Sequence, residues 1–111
     1  MDALSAVLIT KALDGLAMRA SAISQNIANA STPSYAPIRV SFEQELRGAL
    51  PKGADAVRLV QPEFVRMPGD AALRLDLEMA SASETTLRYS ALVDVLSRQM
   101  QISRLAVTGG Q

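Results

Sequence analysis

Apolar residues recur at alternating spacings of three and four from near the start of the chain: Ala6, Ile9, Leu13, Leu16, Ala20, Ile23, Ile27 and Ala30. A seam of this kind predicts a helix over residues 3–30 that lies along another helix. Leu4, Val7 and Leu8 widen its apolar face near the beginning. At ~1.5 Å per residue the helix is about 40 Å long. Gly15 costs it about 1 kcal/mol relative to alanine and is a candidate for close contact.

A shorter amphipathic pattern follows over residues 41–50. Phe42, Leu46 and Leu50 share one face, while Glu43, Glu45 and Arg47 face outward, with Ser41 as N-cap and Gln44 in a capping box. Residues 51–72 are the least regular. There Val57, Arg58, Leu59 and Val60 read as a strand bounded by Pro62, and Phe64 to Met67 as its pair. Pro68, Gly69 and Asp70 signal a turn. A small hairpin and an irregular arm both fit this stretch, the hairpin slightly better.

The helical period returns over residues 77–107, with Asp76 as N-cap and Glu78 opposing the positive end of the helix dipole. Its seam is Met79, Ala82, Thr86, Tyr89, Val93, Leu96, Met100, Ser103 and Val107, and Gly109 and Gly110 end it. Leu92, Val95, Ile102 and Leu105 form a second stripe. One partner helix covers one stripe, so two stripes imply a bundle interior or neighbours from other subunits. The expected fold is mainly α: long N- and C-terminal helices packed as an antiparallel coiled-coil-like pair, with a short helix and a small irregular or β-hairpin middle. One domain has three parts, residues 1–35, 36–74 and 75–111.

Composition sharpens this. The chain is 49% hydrophobic but only 4% aromatic, so alanine, leucine and valine carry the apolar content. Small side chains bury little area each, which favours slender helices over a thick core. The 11 basic and 11 acidic groups cancel, which removes long-range self-repulsion and favours association. Arg58, Arg66, Arg74, Arg88, Arg98 and Arg104 are too scattered for a basic stripe, so no nucleic-acid partner is expected. Tyr35, Phe42 and Tyr89 accordingly read as packing anchors, not stacking platforms.

With neither His nor Cys, the common nucleophile–base pairs and nitrogen or sulfur metal sites have no residues to form from. Asp76 and Glu78 lie two apart on a helix and do not face each other. No enzyme activity, metal or cofactor is expected. No stretch approaches the ~18 apolar residues of a membrane span. The start of the chain lacks a basic segment, which argues against a cleaved secretory signal.

The most specific feature is Ser24, Gln25, Asn26, Ile27, Ala28 and Asn29, followed by Thr32, Pro33, Ser34 and Tyr35. Thr32 precedes a proline and is pushed toward an extended conformation, and Pro33 cannot continue a helix. Asn26, Asn29, Ser31 and Thr32 are short polar side chains able to bond the backbone groups freed at the helix end. The stretch from about Leu13 to Phe42 resembles the N-terminal signature of bacterial flagellar axial proteins, the rod and hook group, close to Q-N-I-A-N-x-x-T-P-G-Y with a phenylalanine beyond. Ser34 departs from it where that family has glycine. Leu75, Asp76, Leu77, Glu78 and Met79, with Leu87 and Tyr89 later, are similar to the proximal-rod proteins of the basal body (the FlgB type). That family has a V-D-L-E-x-E-M-like entry and an L-x-Y, from which Arg74-Leu75 and the direct step from Glu78 to Met79 depart.

The resemblance implies a structural subunit of the proximal rod, transmitting torque by helix packing in a helical assembly. It implies export by the flagellar type III apparatus without cleavage, and placement in the periplasm-spanning rod. Its partners would be other rod subunits, the rod–ring adaptor protein, the membrane-ring protein and copies of itself. Gln25, Asn26, Ile27, Ala28, Asn29, Thr32, Pro33, Tyr35 and Phe42 would form the assembly motif. Ile9, Leu13, Leu16, Ile23, Met79, Tyr89, Val93, Leu96 and Met100 would form the seams. Competing readings are another rod subunit, or a helical export chaperone or adaptor module.

Overall fold

A computed structural model describes residues 1–69 and 71–109. The elements run α1 (Ala3–Ala28), β1 (Ile38–Ser41), α2 (Glu43–Ala49), a 3-10 turn (Leu50–Lys52), α3 (Ala54–Arg58), β2 (Glu63–Arg66) and α4 (Leu75–Thr108). The molecule is long and thin, 64 × 27 × 14 Å. Asp70 of the expected turn and Gly110 of the expected helix end lie outside the described residues.

α1 starts where Asp2 caps it, its Oδ1 accepting from the Ser5 N–H at 2.7 Å. It lies antiparallel to α4: the end of α1 meets the start of α4, where Asn26 bonds Glu78, while Ala6 sits beside Leu96 and Met100. The predicted helix pair is therefore present. α1 ends at Ala28, two residues short of the expected end, with the Asn29 N–H donating to the Gln25 carbonyl.

The middle segment lies on one side of this pair. β1 and β2 pair antiparallel, Ile38 opposite Arg66 and Val40 opposite Phe64. Ile38 and Val40 are buried against α1, whereas Arg39 and Ser41 point away. Val57 is fully buried in the same cluster, with Leu16, Ala22, Phe42 and Leu46. Phe42 is seated on Gly15: a Cβ there would collide with the phenyl ring, so the close contact expected at Gly15 is to an aromatic side chain.

Two local expectations are corrected. Val57 and Arg58 belong to helix α3, not a strand, and β2 pairs with β1 instead. Leu59 is 80% exposed, so the apparent alternation there buries only Val57. Ser41 is the last residue of β1, not an N-cap. α2 begins at Glu43, Phe42 occupies its cap position, and no side chain caps it. Asp76 likewise lies inside α4, whose cap position is Arg74.

Candidate assembly surface

The motif that ends α1 splits into an inner and an outer set. Asn26 is completely buried and makes four hydrogen bonds, all that a primary amide can form. Its Oδ1 accepts from the Ile38 N–H at 2.8 Å and from the Tyr35 hydroxyl at 2.9 Å. Its Nδ2 donates to the Ile38 carbonyl at 2.9 Å and to Glu78 Oε2 at 3.2 Å. The side-chain amide thus pairs with Ile38 as a neighbouring strand would. Asn26 is a hub joining α1, β1 and α4, a larger role than bonding the helix end. That end is served by Asn29, whose Nδ2 donates to the Gln25 carbonyl at 2.9 Å and whose Oδ1 accepts from Thr32 Oγ1. Gln25, Ala28, Thr32 and Pro33 are exposed, and Ile27 and Tyr35 are half-buried. Phe42 sits elsewhere, over Gly15.

Thr32 to Tyr35 form a turn closed by the Tyr35 N–H donating to the Thr32 carbonyl at 3.3 Å. Pro33 stands at its second position and Ser34, at its third, has φ +61°. These are the features of a type II turn, which favours proline and then glycine because the third position needs positive φ. The glycine of the axial-protein pattern falls on the one non-glycine residue with positive φ among those described.

Glu78 is only 3% exposed and forms an ion pair with Arg39 at 2.6 Å. Expected as a helix-dipole partner, it instead anchors α4 to β1 and, through Asn26, to α1. A second anchor is Glu43 at the start of α2. Both terminal guanidinium nitrogens of Arg19 donate to it at 2.7 Å, and Arg19 also bonds the Val40 carbonyl and lies over the Phe42 ring. The Arg19 hydrogen bonds hold the Glu43 carboxyl at about 2, well below its ordinary 4.5. Arg88 of α4 approaches Glu43 at 3.8 Å. The sequence contains no spacing that pairs Arg39 with Glu78 or Arg19 with Glu43.

The α4 seam is rotated from the expected one. The line facing α1 is Glu78, Ala82, Thr85, Leu92, Leu96 and Gln99, all buried or half-buried. Met79, Thr86, Val93 and Met100, one residue further along, stand on its flank, with Met79 58% and Met100 60% exposed. Of the seam residues on α1, Leu16 and Ile23 are buried and Ile9 and Leu13 half-buried; on α4, Leu96 is half-buried and Tyr89 is exposed. Tyr89 flanks a cleft of about 330 Å³ shared with Leu16, Ala17, Ala20, Thr85 and Thr86.

Two sides of the helix pair result. One is covered by β1, α2 and α3. The other is open, with Ala3, Thr10, Ala17 and Ser24 exposed on α1 beside Met79, Thr86, Val93 and Met100 on α4. The chain exposes 7420 Å², against about 5,900 Å² for a compact protein of 11.8 kDa. The surplus is comparable to the ~800 Å² per partner of one or two standard interfaces. No helix among the described residues is long and apolar enough to cross a membrane. No family model matches the chain, and no curated protein matches it.

Proposed function

We propose that this protein is a structural subunit of the flagellar proximal rod, working by packing and not by a chemical step. The observation that carries the reading is the open side of the α1–α4 pair: two long antiparallel helices with apolar side chains left uncovered along their length. A shaft subunit must keep such a surface for its neighbours, and a self-sufficient helical module has no need of it. The type II turn at Thr32 to Tyr35 supports the same family, because the backbone there meets the requirement for which the axial-protein pattern carries glycine.

Torque has to cross from the helix pair to the middle segment without slippage. The Arg19–Glu43 pair and the cluster of Asn26, Glu78 and Arg39 tie the helix pair to the middle segment at two points along the axis. Packing distributes load over many contacts, and these polar ties resist sliding because each has one satisfied geometry. On this reading the partners are other rod subunits, the rod–ring adaptor, the membrane-ring protein and further copies. Export proceeds through the flagellar type III apparatus.

The test is incorporation. Met79→Asp places a charge on the open flank without touching the buried line, so secretion and helical content are expected to persist while entry into basal bodies is lost. Rods of normal composition containing this variant would overturn the reading.

A further inference from the structure

We propose that the outer edge of β2 is a docking site for an extended segment of another protein, added antiparallel as a third strand. In that segment two apolar residues stand between an acidic and a basic one. The hairpin lies on the covered side of the helix pair, so this contact leaves the open flank free and does not depend on the rod reading.

The ladder decides which backbone groups face outward. Ile38 stands opposite Arg66 and Ser41 opposite Glu63, and the Met67 N–H donates to the Pro37 carbonyl at 2.8 Å. Bonded and non-bonded pairs alternate along an antiparallel ladder. The bonded pairs are therefore Pro37–Met67, Arg39–Val65 and Ser41–Glu63. Ile38 and Val40 turn their backbone groups away from β2, and Phe64 and Arg66 turn theirs away from β1. The outer edge of β1 is closed by α1. There the Asn26 amide takes both backbone groups of Ile38, and Arg19 Nη2 donates to the Val40 carbonyl at 2.8 Å. On β2 the outward N–H and C=O groups of Phe64 and Arg66 have no hydrogen bond among the described residues.

A two-stranded sheet is marginal in water, and a third strand is the usual remedy. β2 is exposed at all four positions, with Phe64 and Val65 each 50% exposed. An edge guarded against pairing carries charge or proline along its length. Here apolar residues hold the centre, while Glu63, Arg66 and the prolines Pro62 and Pro68 stand at the ends.

Charge selects the occupant. Neither Glu63 nor Arg66 has an ion-pair partner among the described residues. An antiparallel strand sets one residue directly opposite each residue of β2, on the same face. Complementarity then asks for an acid opposite Arg66, apolar residues opposite Val65 and Phe64, and a base opposite Glu63. A second copy of β2 does not meet this. Its outward residues are again Phe64 and Arg66, and only outward residues exchange bonds. Pairing Phe64 with Arg66 of the other copy sets Val65 on Val65 and Glu63 on Met67. No antiparallel register of two copies brings Glu63 opposite Arg66.

The probe is a capped peptide, T-E-V-F-K-T, whose acid falls opposite Arg66 and whose base falls opposite Glu63. It is titrated to millimolar concentration into the full, isotope-labelled chain. The amide resonances of Phe64 and Arg66 are expected to shift and to exchange more slowly with solvent, while the amide of Val65, already bonded to β1, changes little. Exchanging the acid and base of the peptide should weaken binding about tenfold, because two attractive pairs become repulsive. N-methylation separates strand addition from a loose apolar contact. A methyl on the peptide nitrogen opposite Phe64 should abolish binding, and one opposite Val65, where the peptide N–H faces solvent, should not. The double variant Glu63→Lys, Arg66→Glu should prefer the exchanged peptide. Unmoved Phe64 and Arg66 amides, equal binding of the two peptides, or indifference to the position of the methyl would each overturn the proposal. So would protection of these amides that rises with chain concentration and no peptide, since that puts a second copy on the edge. Should the double variant fail to fold, the methylated peptides still decide the matter on the unaltered chain.

Discussion

Asn26 shows how much one polar side chain decides. It replaces a strand neighbour for Ile38 and holds Tyr35 and Glu78, so removing it strands several buried groups at once. An unsatisfied buried group costs about 1–3 kcal/mol, and Asn26→Ala is expected to lose about 3 kcal/mol or more, measured by urea unfolding. Asn26→Asp sets a second carboxylate beside buried Glu78 and should cost more than the alanine variant. Ser34 gives the opposite sign. A non-glycine residue at positive φ is disfavoured by about 1–2 kcal/mol, partly offset by the freedom glycine adds to the unfolded chain. Ser34→Gly is therefore expected to stabilise by about 0.5–1 kcal/mol, read as a higher thermal midpoint. That Thr32 and Pro33 end the helical run was legible in the sequence, because proline's constraints are local. The fourfold bonding of Asn26 was not, since its partners Ile38 and Glu78 are 12 and 52 residues away.

Among the elements, both long helices follow from their periodicity, but the rotation of α4 does not. Apolar content favours Met79, Thr86, Val93 and Met100 facing α1, whereas the structure turns Glu78, Thr85, Leu92 and Gln99 inward. A buried carboxylate must be paired, and only this rotation brings Glu78 to both Arg39 and Asn26. The hairpin was half legible. The alternation of Ile38, Arg39, Val40 and Ser41 marks a strand, but Ser41 also suits the helix that follows. Val57 belongs to the short helix α3, which packs on α1 and buries that one side chain in the common cluster. The Glu43 tie predicts a pH effect. Its folded carboxyl sits at about 2 and its ordinary value is 4.5, so in this window the unfolded chain binds the extra proton. The contribution is complete above pH 4.5 and fades as pH falls toward 2. With the side chain 36% exposed, the screened effect is about 1 kcal/mol. Urea midpoints at neutral pH and near pH 3 should differ accordingly, and Glu43→Gln should shrink that difference.

At the scale of the molecule, order follows coverage. Leu16, Ala22, Ile23 and Asn26 of α1 are buried between the middle segment and α4, while every described residue of α4 beyond Met100 is exposed. A helix is marginal in water without packing. Amide exchange on the dilute chain should show strong protection at Ile23 and Asn26 and weak protection from Ile102 to Val107, with the latter rising on assembly. Uniform protection along α4 would contradict this. The elongated 64 × 27 × 14 Å shape and the surplus surface have the same origin, a pair of long helices covered on one side.

The sequence by itself determined the two long helices, the break at Pro33, the scarcity of aromatic core and the presence of more apolar stripe than one partner helix covers. These are properties of spacing and composition, which act over a few residues. Only the tertiary structure decided which stripe stays open. That choice depends on Asn26, Arg39 and Glu78 meeting across the whole chain, and the cost of an unpaired buried charge outweighs the gain from burying a few methyl groups more.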